Sequence, residues 1–397
     1  MDDPIAAPEL LSSTERVHQY IEKTLAAVLD QLLMADGQPA ITLKRRTTHA
    51  TFFINSRNGA LESTDTETII SYSWPGKDAY EAWRFTVAMR ILSAIAEAIH
   101  SGLVISKRDI YYGDPVCFGT QRVVDGLVDD FALTIGVQRS DLNVEAAAKG
   151  LVTGYYQLIT TKDEVIDARF STKDCLIPMA HEVAQIDISN VSWAIYRRLA
   201  SSSFHTRAAA GNGILITVGT YISRILLRSC NRTQIFIQGK GYPDLGTRAF
   251  VRKIFESQPQ PDNGPRFYAL VDSDPDGMAI MSTYKYGSMA HTRNNGHLNV
   301  PSLRWLGLRT SDVVCDAESL GDETLIRLTM RDRKKVVSML TKNPVWAVDG
   351  PELEWRAELL RMLMLNVKAE TEILYHRHGG LEGWINRQME RMSGYLL

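Results

Sequence analysis

The segment ISKRDIYYGDP, residues 105–115, places Arg108 and Tyr112 four residues apart, so on a helix their side chains share a face. A tyrosine hydroxyl in that position can attack a phosphodiester while the guanidinium binds the phosphate and its developing charge. With a pKa of about 10, a phenol needs a metal or base nearby to do so. Two ordinary tyrosines packed at a helix end are the alternative. A second candidate is FYALVDSDPDGMAIM, residues 267–281, in which an apolar strand runs into Asp272 and Asp274. Sites in α/β domains form past the carboxyl ends of strands. Alternate strand positions point the same way, so the two carboxylates suit one hard cation such as Mg²⁺. The competing reading is an acidic Asp-Pro-Asp-Gly turn. In GKGYPDLGTR, residues 239–248, glycines allow close approach of backbone to phosphate and Lys240 adds charge, although a plain turn fits equally. On the helix that follows, Arg248, Arg252 and Lys253 read as a basic stripe or a solvated face.

Other chemistries find no support. The nine histidines form no H-E-x-x-H, and there is no G-x-S-x-G or Walker loop. The four cysteines, Cys117, Cys175, Cys230 and Cys315, are too scattered for zinc spacing and suit a reducing compartment. Over 397 residues, 45% hydrophobic and 23% charged, two domains with separate cores are expected. A formal net charge of −2 excludes a global positive field, so any phosphate-binding surface must be local. An acidic N-terminus without an apolar signal core, and no long apolar run, predict a soluble intracellular protein.

The elements that must position these groups follow from periodicity. Ser12-Ser13-Thr14-Glu15 begins a helix with Val17, Ile21, Leu25, Val28, Leu29 and Leu32 at helical spacing. Residues 35–76 are polar and read as a flexible connection with one or two strands, Lys44-Arg45-Arg46 being solvated. A helix from Asp78 to His100 stops at Ser101-Gly102. A short strand, LVIS, precedes a helix capped by Ser106, and a third helix spans Gln121 to Ile135 with Val124, Leu127, Val128 and Phe131 inward. Short helices followed by a β-rich stretch suit a winged-helix module. From about residue 186, strands such as GILIT and FYALVDSD alternate with helices, as in an α/β domain with a largely parallel sheet. Pro351 marks a late helix start, with Leu359, Leu360, Leu363, Met364 and Val367 on its buried face.

These pieces, in this order, resemble the topoisomerase VI A-subunit family, in particular its meiotic, break-forming branch. The likeness runs through KRDIYYGDPVCFGTQRVVDGLVDDFALTIGVQRSDLNVEAAAKGLVTG, GKGYPDLGTR, ALVDSDPDG, YKYGS, PSLRWLGL and LNVKAE, roughly residues 80–375. It implies a mixed α+β and α/β protein: a winged-helix (CAP-like) DNA-binding domain followed by a Toprim domain. The divisions expected are residues 1–76 for an N-terminal helix and connection, 77–185 for the winged helix, and 186–397 for Toprim with C-terminal helices. By resemblance Tyr112 is the nucleophile and Arg108 its support. Asp272 and Asp274 hold Mg²⁺, and Lys149, Lys240 and Tyr242 approach double-stranded DNA. It further implies a homodimer in which one protomer's tyrosine meets the other's metal site, each site cutting one strand and leaving a 5′-phosphotyrosyl link. A topoisomerase VI B-like partner, meiotic accessory proteins and a nuclear location belong to the same expectation; the N-terminal helix, Thr14 to Leu33, either docks that partner or packs on the chain's own core. The A-type chain of an ATP-hydrolysing type IIB topoisomerase is the related alternative.

Two departures stand out. The family carries a glutamate as V-E-K-[DE]-A on its first Toprim strand, whereas here NVSW, residues 190–193, joins directly to AIYRRLASSSFH. The family also runs I-x-x-T straight into G-K-G, yet residues 218–238 intervene. That stretch opens on Val, whose codons begin GT, and closes on Gln, which CAG encodes, as a retained intron does. The competing account is a degenerate, DNA-binding paralogue. Either way the chain as written offers two metal-binding carboxylates rather than three acidic groups, a weak Mg²⁺ site, and a sheet strained by the loss of its first strand, for which the inserted stretch substitutes a new one imperfectly.

Overall fold

The structure, a computed structural model, describes residues 11–47, 51–64, 67–145, 150–154, 156–168, 175–187, 213–218, 234–239, 242–257, 266–314, 325–376 and 379–393. Two compact units emerge: Met1–Ala50 with Thr64–Ala147, and Thr51–Ser63 with Ala148–Leu397.

In the first unit, helix α1 (Ser13–Leu33) opens on a capping box in which Ser12 and Glu15 satisfy each other's backbone N–H groups. Strands β1 (Ala40–Arg46) and β4 (Glu67–Ser73) form an antiparallel pair. Between them in sequence, β2 (Phe52–Ile54) and β3 (Leu61–Ser63) form a hairpin of the second unit. The region expected to be a flexible connection is therefore largely sheet. Its signal was thin because only Ile41 and Leu43 alternate inward on β1, and its partner strand lies far along the chain. Helix α2 (Ala79–Ser101) is capped by Asp78 and ends on left-handed Gly102. Helices α3 (Lys107–Gly113), α4 (Pro115–Phe118) and α5 (Gln121–Ile135) follow. The expected strand LVIS is reduced to one bridge, Ile105 with Val144. Val17, Ile21, Ile41, Leu43, Val87, Ile91, Leu92, Ile95, Val124, Leu127, Val128 and Phe131 share one core. The basic triplet is tied down rather than free: Lys44 pairs with Glu67, and Arg45 reaches Asp130 at 2.7 Å and the Tyr72 hydroxyl at 3.0 Å.

The second unit is built on a six-stranded sheet. Its strands are β5 (Leu151–Gly154), β8 (Cys175–Leu176), β10 (Gly213–Val218), β11 (Gln234–Gly239), β12 (Arg266–Leu270) and β13 (Arg304–Gly307). Their spatial order is β13-β12-β11-β10-β5-β8. The four from β10 to β13 run parallel, while β5 and β8 add antiparallel pairs. Strands β6 (Gln157–Thr160), β7 (Val165–Asp167) and β9 (Val183–Asp187) make a separate antiparallel sheet, and β14 (Ile326–Arg327) pairs with β15 (Val367–Lys368). Both faces of β12 are covered, as a parallel strand requires. Phe267, Ala269 and Val271 enter one core with Phe250, Val251 and Ile254 of α6 (Leu245–Glu256). Tyr268 and Leu270 enter another with Leu381, Trp384 and Ile385 of the last helix, Gly380–Ser393. Between lie α7 (Pro275–Lys285), α8 (Thr292–Asn295), α9 (Met330–Lys342) and α10 (Leu353–Leu365), making the last helix α11.

Two side-chain expectations change. Arg248 lies neither on a stripe nor in solvent; it is buried on α6 and donates to Asn295 Oδ1 at 3.2 Å, and burial pulls its guanidinium down to about 10. On α10, Pro351 precedes the start, and the buried face is Trp355, Glu358, Leu359 and Met362, with Leu360 and Met364 outward. Strand β11 falls almost wholly within residues 218–238, so the inserted stretch does supply a strand between β10 and β12. The segment 190–212 lies outside the described residues.

Asp130 sits in the first unit's interior, where burial raises its carboxyl despite Arg45. Replacing Arg45 by Met leaves that carboxylate without its partner, so Arg45→Met should cost about 2 kcal/mol at pH 7.5. The loss should shrink as the solution is acidified, because burial favours the protonated carboxyl; equal losses at neutral and acid pH in thermal melts would contradict this account.

Candidate active site

Helix α3 carries the tyrosine pair. Ser106 and Asp109 close a capping box at its start, and Ile110 is buried beneath it. Lys107 anchors the same end, its ammonium donating to Asp129 Oδ1 at 2.7 Å and to the Asp125 carbonyl at 2.8 Å, while Arg139 meets Asp129 at 2.5 Å. Desolvation lowers the Lys107 pKa, with Arg139 adding to it and Asp129 opposing. With its inner face fixed, α3 turns Arg108 and Tyr112 outward. Tyr112 is 69% exposed and tilts against the Tyr111 ring at 5.3 Å between centroids. Neither the Tyr112 hydroxyl nor Arg108 has a hydrogen-bond or ionic partner among the described residues.

In the second unit the acid pair lies just past the end of β12. Asp274 is the N-cap of α7, its Oδ1 accepting from Gly277 N–H at 2.6 Å, with Pro275 at the first helical position. Asp-Pro-Asp-Gly is thus a helix start rather than a turn. Gly277 is required by close approach: a Cβ there would stand 2.5 Å from the Asp272 carbonyl oxygen. Asp272 Oδ1 accepts from both Thr371 N–H at 2.8 Å and Thr371 Oγ1 at 2.9 Å. Ser273 between them exchanges backbone hydrogen bonds with Ala369 at 2.9 and 3.1 Å, and its hydroxyl lies 3.0 Å from Thr310 Oγ1. The second oxygen of each carboxylate accepts no hydrogen bond among the described residues.

The electrostatics follow from that enclosure. Burial pushes Asp272 up to about 6, against the Thr371 hydrogen bonds and with help from the charges of Asp274 and Glu372. Burial likewise raises Asp274, opposed by the Gly277 N–H; Asp276 adds to the rise, and Lys368 and Lys335 oppose it. Two lysines therefore face the pair. Lys368 donates to Asp332 at 2.9 Å; against desolvation, that bond and the charges of Asp274 and Asp276 hold its ammonium above the ordinary range. Lys335 on α9 pairs with Asp276 and donates to the Tyr242 hydroxyl at 2.8 Å, lying 5.1 Å from that ring's centroid.

Of the sequence-derived candidates, Arg108 and Tyr112 come together on α3, and Asp272 and Asp274 come together beyond β12. Tyr242 is exposed before α6. Lys149 and Lys240 lie outside the described residues. Thr371, Lys368 and Lys335 were missed as site residues. LNVKAE was visible as a motif, but its role depends on a contact with Ser273 that spans the domain. Among the described residues no group of three Asp, Glu, His or Cys could hold a metal ion. Two carboxylates, each with one oxygen uncommitted, nevertheless suit a hard divalent cation that keeps several waters.

Asp272 also sets a pH dependence. Its folded-state value of about 6 lies above the ordinary 3.8, so the stability it contributes is complete below about pH 3.8 and lost as pH rises through about 6. Asp272→Asn keeps an acceptor for Thr371 without the charge. In the absence of divalent cation the variant should gain on the unchanged chain by on the order of 2 kcal/mol between pH 4 and pH 8. Chemical denaturation of both proteins across that range checks it, and a pH-independent difference would refute the cause given for the shift.

Comparison with known proteins completes the picture. Residues 83–144 match the family described as type IIB DNA topoisomerase, and residues 220–380 match the Toprim domain of the Spo11 and topoisomerase 6 A-subunit family. The chain is 30% identical to the human meiotic recombination protein SPO11, over 94% of this chain and 86% of that one. It is 31% identical to meiotic recombination protein rec12 of Schizosaccharomyces pombe, over 92% and 91%. With the A-type chain of DNA topoisomerase 6 from Arabidopsis thaliana it shares 29% over 73% of this chain and 61% of that one. Two domain matches in the expected order, and full-length likeness to the meiotic proteins, show that the chain belongs to the Spo11 and topoisomerase 6 A-subunit family of type IIB topoisomerases.

Proposed function

We propose that this protein is a topoisomerase-like transesterase that makes DNA double-strand breaks in meiotic recombination, acting in the nucleus. The observation that carries this reading is the outward pair Arg108 and Tyr112 on a firmly anchored helix, in a chain of this family. The Tyr112 oxygen bonds to the phosphorus and loses its proton; the 3′ oxygen departs and gains one, leaving a 5′-phosphotyrosyl link. Because one phosphodiester replaces another, the cut consumes neither ATP nor water. Arg108 binds the phosphate and offsets its growing negative charge, a contribution of about 3 kcal/mol.

The helices around Tyr112 are read as the helical part of a winged-helix module that presents α3 to double-stranded DNA. Lys149, Lys240 and Tyr242 are read as further DNA contacts. Asp272 and Asp274 would hold Mg²⁺ through their uncommitted oxygens, with Ser273 and Thr371 fixing where those oxygens stand. Bound there, the cation neutralises charge on the phosphate and its leaving oxygen. Two copies of the chain assemble so that the tyrosine of one serves the acid pair of the other, with a topoisomerase VI B-like protein and meiotic accessory proteins as partners.

A second reading has a specific basis: no third acidic group completes the acid pair among the described residues. In that reading the chain binds DNA without cutting it. A labelled duplex incubated with the purified protein and Mg²⁺ or Mn²⁺, then quenched in denaturant, separates the two. A protein–DNA adduct that is present but scarce, and absent in Tyr112→Phe, is the expected result. Binding with no adduct at any metal concentration would favour the non-cutting reading, and no binding at all would sink both.

A further inference from the structure

We propose that the outward face of α9 is a DNA-phosphate-binding strip, with Lys335 on its inner edge beside Asp274 and Asp276. This rests on the reading of the chain as a DNA-acting protein and adds a surface to it. Net charge of −2 requires any phosphate-binding surface to be local, and α9 concentrates cations as MRDRKKVVSMLTK.

Helix geometry sorts them. Arg331, Lys334, Lys335 and Lys342 recur at spacings of three, four and seven residues, which places them along one side of the helix. Val336 and Met339 face the core on the other side. Arg331, Lys334 and Lys342 are exposed. The helix's only carboxylate, Asp332, is buried and ion-paired with Lys368, so it does not neutralise the strip. Arg327, exposed on β14 just before α9, extends the strip at its start. The helix is roughly 20 Å long, enough to follow several successive phosphates of one strand.

What distinguishes this strip from an ordinary solvated face is where it leads. Lys335 contacts Asp276 and the Tyr242 hydroxyl together, and its charge acts on Asp274. A phosphodiester backbone laid along α9 therefore passes beside the acid pair. Lys335 gives up a solvated carboxylate for a phosphate, Asp276 being 44% exposed. Tyr242, exposed beside it, offers its ring to a base or sugar at the same point.

Measurement of duplex-DNA affinity against salt concentration, by fluorescence anisotropy on the full chain without divalent cation, tests the strip. Each lost phosphate contact flattens the slope of log affinity against log salt by about 0.9. Arg331→Gln combined with Lys334→Gln and Lys335→Gln should flatten it by roughly two to three and weaken binding about 10- to 100-fold at 0.1 M salt. The charge-keeping set Arg331→Lys, Lys334→Arg and Lys335→Arg should restore the slope, which a merely structural role would not produce. Melting curves confirm that both sets fold. An unchanged slope in the neutral set, with the unmodified chain binding DNA, overturns the strip and leaves the proposed function standing. Failure of the unmodified chain to bind DNA overturns both.

Discussion

Two carboxylates held close together in a largely buried loop are the constraint around which the second unit is organised. Like charges in a low-dielectric setting repel and lose hydration, so Asp272 and Asp274 stay in place only if the backbone beneath them is over-determined. Three independent attachments do this: the β12 strand end, the α7 start capped by Asp274, and the Ser273–Ala369 exchange with Thr371. The first two belong to the acid pair's own stretch of chain, and the third reaches beyond it. Part of the loop's rigidity therefore comes from the segment after β15, far downstream in sequence but adjacent in the fold. Lys335 and Lys368 supply positive charge from two further elements, so a loss in any one of them is felt at the carboxylates.

The first unit solves the opposite problem. The nucleophile proposed at Tyr112 has to be exposed to meet DNA, yet an exposed side chain on a loose helix has no defined direction. Helix α3 resolves this by a short capping box, a buried Ile110 and the Lys107–Asp129–Arg139 cluster, all on one side. The cost of desolvating Lys107 is offset by two acceptors, and the outward side is left to Arg108 and Tyr112.

Features written in local sequence were readable in advance. Caps at Ser12, Asp78 and Ser106 and the apolar spacing of α5 depend on residues within a few positions of one another, and each stands where the sequence indicates. The pairing of Arg108 with Tyr112 and of Asp272 with Asp274 is local in the same sense. Features decided by distant partners were not readable. Strand β1 has two inward residues and owes its existence to β4 and to packing on α5. Arg248 looked like a solvated cation because nothing nearby announces Asn295, which folds over it from α8. Leu360 and Met364 continue an apolar pattern that α10 does not bury. Thr371 carries no signal at all until Ala369 is seen bridging Ser273.

The inserted stretch separates what a sheet needs from what a site needs. A parallel strand is recruited by its backbone N–H and C=O groups and by apolar side chains, and many sequences satisfy both. QIFIQG fills the slot between β10 and β12 with full backbone register on either side. A ligand position is less forgiving, since it demands one functional group at one point. Strand β11 runs parallel to β12, so its carboxyl end lies at the same edge as the acid pair, and it ends there in Gln238 and Gly239. Neither brings a carboxylate. A strand of this sequence can thus preserve the architecture that holds Asp272 and Asp274 without itself adding a carboxylate at that edge. What a strand needs to join the sheet and what a ligand position needs are separate demands, and β11 meets the first.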